Sequence, residues 1–155
     1  MPEAPFNIEA AHRWFAAQCF NDTWTLLDKP DRDAAEDTAM IHCAHASRYH
    51  WEQVGDAANL ATGEWQVARV YATLGLAAAA ERHADASLAL CRAHELGAFL
   101  TGCAHEVRAR AAKAGGDLEA ARGRLAEARA CVAALNDPED VEVLTADIEA
   151  CAAGL

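Results

Sequence analysis

The chain has no run of β-branched residues, no apolar stretch near membrane-span length, and no cysteine pair at CxxC spacing. The first absence argues against a sheet, and the second against a spanning helix, which needs ~20 apolar residues. The third leaves Cys19, Cys43, Cys91, Cys103, Cys131 and Cys151 as separate thiols that pack as small hydrophobes. No secretory leader opens the sequence. The expected setting is therefore the reducing cytoplasm. Positive charge is also scarce. Thirteen Lys and Arg face 24 Asp and Glu, for a net charge of −11 and a pI near 4.9. Such a surface repels polyanions, so neither nucleic acid nor an anionic membrane is an expected partner. The one cationic stretch, Arg108, Arg110, Lys113, Arg122, Arg124 and Arg129, is interleaved with Glu106, Asp117, Glu119 and Glu127. It predicts a solvated helix face.

Signatures of catalysis and metal binding are missing as well. There is no HxxxH, CxxxC or HExxH, no glycine-rich phosphate loop and no GxSxG elbow. His42 and His45 stand three apart without a third ligand, and Glu9-Ala10-Ala11-His12 is a single ExxH unit where di-iron bundles use two. Cys43 and its neighbouring histidines project in different directions on a helix. Cys19 and His12 are two turns apart, ~10 Å, too far for proton transfer. The sequence predicts no metal, no cofactor and no enzyme.

Alanine is plentiful, about a quarter of the residues, and it is the best helix former. Seven helix-length segments follow, separated by Gly, Asp and Pro, so the expectation is all-α. The first runs from after Asn7 to Leu27. Asp33 and Glu36 form a capping box for a second that ends at Val54, with Gly55 expected to turn left-handed. Asp56 caps a third. Gly75 leads into a fourth over 77–95, stopped by Gly97. A fifth spans 99–114, Gly115-Gly116-Asp117 stops it and caps a sixth, and Asp137-Pro138 starts a seventh. The expected plan is one domain over residues 1–155, with hairpins at 8–54, 57–95 and 99–135 and a capping helix at 138–153. The last helix carries Val141, Leu144 and Ile148 as one apolar stripe. A stack of three hairpins leaves open apolar ends, which pairing of two chains would cover.

Two of the turns carry the same mark. Gly75 is followed five residues later by Ala80, and Gly116 five residues later by Ala121, the two glycines 41 positions apart. Tyr71 precedes Gly75 by four, and small or apolar residues follow at Ser87, Leu88 and Ala128. In these features residues 60–135 resemble the tetratricopeptide repeat family. The spacing exceeds the usual 34 residues, and Glu64 stands where an aromatic is usual, with Trp65 one place later. The segments 45–51 (HASRYHW) and 63–71 (GEWQVARVY) also resemble those of an uncharacterised bacterial family of such proteins. The resemblance implies stacked antiparallel helical hairpins, an α-solenoid, and binding of a protein or peptide partner in a groove.

The most polar and aromatic part of the chain is 40–71. On the second helix Met40, Ala44, Ser47, Trp51 and Val54 keep core spacing, while His42, His45, Tyr49 and Glu52 form an adjacent row flanked by Arg48. On the third, Glu64 falls in the apolar row Leu60, Val67, Tyr71 and Leu74, where a buried carboxylate needs a partner such as Arg48 or a histidine. It is a structural ion pair, part of a ligand-gripping groove, or a catalytic carboxylate. Trp14, Trp24 and Trp51 are expected in the core. Trp65 either fills a neighbouring hairpin's groove or stands as a binding anchor. The binding wall predicted from these residues is His42, His45, Arg48, Tyr49, Glu64, Trp65, Arg69 and Tyr71. Arg48 and Arg69 would hold carboxylates, His42, His45 and Glu64 would make polar contacts, and Tyr49, Trp65 and Tyr71 would stack. The alternative is a small-molecule or metal pocket between the first two hairpins.

Overall fold

A computed structural model describes residues 6–155. The described residues form seven helices and no strand: α1 (Ile8–Leu27), α2 (Ala34–Val54), α3 (Ala57–Thr73), α4 (Ala77–Ala93), α5 (Gly97–Ala114), α6 (Leu118–Val132) and α7 (Pro138–Ala152). None is long and apolar enough to cross a membrane. Side-chain caps hold five of the N-termini. Asn7, Asp33, Asp56, Asp117 and Asp137 each accept a backbone N–H from the first turn, and Asp33–Glu36 closes as a full capping box.

Consecutive helices pack as antiparallel hairpins, α1 with α2, α3 with α4 and α5 with α6, while α7 lies against α5 and α6. The odd-numbered helices also touch one another across hairpins. The even-numbered ones stand farther apart, their backbones separate and His45 of α2 meeting His83 of α4 through the rings alone, centroids 5.4 Å apart. The stack therefore closes along the α1–α3–α5–α7 row and splays along the other, which curves it toward the odd-numbered side.

Alanine makes this close packing possible. Ala16, Ala68, Ala80, Ala84, Ala104, Ala109, Ala121 and Ala128 have no solvent exposure. Larger side chains, Met40, Val67, Val70, Leu88, Leu125, Leu144 and Ile148, fill the spaces between helices. Within the first two hairpins the same hydrogen bond recurs. Buried Ser47 of α2 donates to the Ala16 carbonyl of α1 at 2.8 Å, and buried Ser87 of α4 to the Ala61 carbonyl of α3 at 2.9 Å. The first hairpin thus shares a device that its sequence shows only in outline. The third has Ala128 at the corresponding place.

Two turns form as the glycines predict. Gly75 and Gly116 have φ of 72° and 82°, and in each the next residue's N–H reaches back to a carbonyl five residues earlier, Leu76 to Tyr71 and Asp117 to Ala112. The equivalent turn after α4 uses a different residue. Glu95 takes the place of the turn glycine at φ 50°, with Leu96 N–H bonded to the Cys91 carbonyl, and Gly97 follows at φ 85°. That ends α4 at Ala93 and starts α5 at Gly97, two residues earlier on both counts than the sequence suggests. Gly55 is extended, with φ −92° and ψ 179°. It is glycine for space, because a Cβ there would lie 2.7 Å from the Trp51 carbonyl oxygen.

Two further expectations change. Trp14 is 60% exposed instead of buried, whereas Trp24 and Trp51 are partly buried. The cationic stretch is not one solvated face. Arg108 pairs with Glu81 and Asp85 of α4, Arg110 turns inward, and Lys113 donates to the carbonyls of Cys151 and Ala153 at the end of α7. A lysine there satisfies carbonyls the helix leaves free and suits the negative end of its dipole. Of that stretch only Arg122 and Arg129 are exposed, with Arg124 paired to Glu127.

Candidate functional site

Six of the eight predicted binding residues separate into two groups, one on each side of α3. On the splayed side, Arg48 of α2 reaches past Gly63, where a Cβ would lie 2.7 Å from the arginine Cδ, and its Nε donates to Glu64 Oε1 at 2.9 Å. The other carboxylate oxygen meets His83 Nδ1 of α4 at 2.6 Å. Burial works to raise the Glu64 pKa, but His83 and Arg48 together hold it below the usual carboxylate range. His45 Nε2 pairs with the Tyr71 hydroxyl at 2.9 Å, and Tyr71 stacks on His83 with ring centroids 5.7 Å apart. Burial, aided by His83, lowers the His45 pKa and keeps the imidazole neutral. Every oxygen of Glu64 is thus engaged within the protein. The network ties α2, α3 and α4 together, as a structural ion pair does.

Two of the predicted residues stand apart from it. His42 is exposed, and Tyr49, 56% exposed, turns toward His12 and His50 on the far side of α2. No group of three metal-ligating side chains comes together among the described residues.

Trp65 and Arg69 lie on the closed, odd-numbered side, where the site is less complete. The Arg69 guanidinium lies over the rings of Trp24 and Trp65, 5.2 and 5.8 Å from their centroids. Its Nη1 donates to Asp147 of α7 at 2.9 Å and stands 3.9 Å from Glu106 of α5. Arg110 completes the group, its Nε on Glu106 Oε1 and its Nη2 on the Asp147 backbone carbonyl at 3.1 Å. Glu106 is 1% exposed, and its Oε2 has no hydrogen-bond partner. Burial pushes its pKa up to about 7 against the pull of Arg110 and Arg69.

Beside this network a pocket of about 80 Å³ opens between α3, α5 and α7, lined chiefly by Thr62, Trp65, Phe99, Leu100, Cys103 and Val143, with Asp147 at its edge. The lining is almost wholly apolar. The Trp65 indole Nε1–H is buried and bonded to nothing in the protein. A second hollow of about 240 Å³ lies between α1 and α3 among Ala17, Phe20, Asn21 and Asn59. Thr62 lines both, so the two adjoin at α3. Burial raises the Cys103 pKa to about 12, which makes it a filler and not a nucleophile.

Comparison with family models, curated proteins and solved structures finds no match. The site is therefore read from its own geometry. Sequence reasoning missed His83, Trp24, Glu106, Arg110 and Asp147. One signal was available: Phe99, Cys103, Glu106 and Arg110 follow 4-3-4 spacing on α5, so Glu106 sits in a semi-apolar row just as Glu64 does. His83 and Asp147 carry no comparable mark.

Proposed function

We propose that this protein is a non-enzymatic adaptor that binds a segment of a partner protein along its odd-numbered face. The observation that carries this reading is the apolar pocket between α3, α5 and α7, which Trp65 lines. A cavity of ~150 Å³ accommodates benzene, so one of about 80 Å³ suits an aliphatic side chain better than an aromatic one. The second hollow would take a neighbouring residue of the same segment. A net charge of −11 favours a segment bearing Arg or Lys. The tetratricopeptide-like reading of the sequence and a cytoplasmic setting for the six free cysteines agree with this role. The binding wall moves accordingly, from α2 and α3 to α1, α3, α5 and α7. Of the eight residues predicted, Trp65 and Arg69 stay in it.

The test is selection of displayed random peptides on the purified protein, followed by measurement against Val143→Arg. Val143 is 47% exposed at the pocket rim, so the change blocks the pocket without disturbing the core. The expected result is at least ~10-fold weaker binding, equivalent to ~1.4 kcal/mol, with unchanged circular dichroism. Selected peptides that bind the variant as tightly would refute the site. A small molecule in the hollow between the first two hairpins is the second reading, favoured by the larger volume there. Native mass spectrometry of protein from its own source would reveal it as added mass.

A further inference from the structure

Among the described residues, exposed apolar side chains concentrate on the first hairpin, at the α1 end of the proposed groove. Of the large hydrophobic residues left exposed, Phe6 (63%), Ile8 (54%), Trp14 (60%), Phe15 (45%) and Tyr49 (56%) all belong to the first hairpin or the residues just before it. The rings form a connected chain. Trp14 meets Phe15 edge-on at 4.9 Å, Phe15 stacks on His50 at 5.4 Å, and His50 touches both His12 and Tyr49.

This surface is the open end of the stack. On α1, Phe20 and Trp24 face α3, where Gln66 donates to the Phe20 carbonyl and Trp24 meets Trp65. On α2, Ala44 and Arg48 face α3. Helical spacing puts Ile8, Phe15, Tyr49 and His50 on the opposite side, where a further hairpin would pack. The other end of the stack is closed, because α7 turns Leu144, Ile148 and Cys151 inward.

We propose that two copies of this chain pair through their first hairpins, end to end. Area argues for a second copy. With roughly 150–250 Å² for each aromatic side chain, the five residues leave roughly 500–600 Å² of apolar surface. A standard interface buries ~800 Å² per partner, and homodimer interfaces are about 65% apolar. The patch matches that share. Charge argues the same way. The chain as a whole is strongly acidic, yet charges near the patch are paired, Glu9 with Arg13 at 3.1 Å and Glu52 with Arg48 at 3.7 Å. His12 and His50 are joined Nδ1 to Nδ1 at 2.7 Å, so these polar atoms are satisfied before any partner covers them. One open end and one capped end give a closed pair and not a filament.

Sedimentation velocity at micromolar concentration tests this, with Phe15→Glu on α1 and Tyr49→Glu on α2 as separate variants, both side chains being exposed in the single chain. The wild type is expected to sediment at twice the 16.5 kDa chain mass. Each variant is expected at the single-chain mass with unchanged helical circular dichroism. A wild type that stays at the single-chain mass overturns the proposal, and so does a pair that survives both substitutions. A wild type that pairs only when a different protein or lipid is bound at Trp14 also overturns it. Should one variant fail to fold, the other, on a different helix, still decides.

Discussion

Glu106 offers the sharpest check on the physics of the closed side, because two large effects oppose each other there. Burial at 1% exposure disfavours the carboxylate, while Arg110 and Arg69 favour it. The structure assigns the win to burial, with the pKa raised from an ordinary 4.5 to about 7. A carboxyl that holds its proton more tightly when folded stabilises the protein below pH 4.5 and loses that contribution as pH rises through about 7. At 1.36 kcal/mol per pKa unit the loss is about 3 kcal/mol, or roughly 6–12 °C in Tm for a domain of this size. Glu106→Gln keeps an acceptor for Arg110 and removes the titration. Urea unfolding of both proteins followed by circular dichroism, from pH 4.5 to 8, isolates the effect in their difference. Carboxylates such as Glu64, whose pKa is lowered, pull the other way in both proteins and cancel. The wild type is expected to lose about 3 kcal/mol relative to the variant across that range. A flat difference, or a wild type that gains, would mean the guanidinium groups outweigh burial and would refute the reasoning.

Two further outcomes test the fold and the splayed-side network. Glu95→Gly should raise stability by about 1 kcal/mol, since Glu95 alone among the equivalent turn residues adopts φ 50° with a side chain, and Gly116→Ala should lower it by a similar amount in the same thermal melts. Glu64→Gln should lower Tm with no ligand present and leave selected-peptide affinity within twofold, because Glu64 serves Arg48 and His83 and not the groove.

Much of the helical plan was legible in the sequence because it depends on neighbours along the chain. The Asp33–Glu36 capping box, the Asp137-Pro138 start and the glycines at 75 and 116 act over one turn, and the structure has each of them in place. Glu95 was not legible, because a left-handed glutamate is set by the packing of α4 and α5 on either side of it. The suspicion attached to Glu64 rested on its place in an apolar row, and two partners do meet it there. That one of them is His83, 19 residues away, no local pattern could reveal.

The sequence by itself determined the helices, their order and their caps, since these follow from propensity, periodicity and hydrogen bonds within a few residues. Only the tertiary structure decided which side of each helix meets which neighbour. It placed Trp65 and Arg69 beside Asp147, 78 residues from Arg69, left Trp14 in solvent, and put Arg48 and Glu64 on the other side of α3 from the pocket. The reason is geometric: a helix wheel states which residues share a face, and only packing states what that face touches.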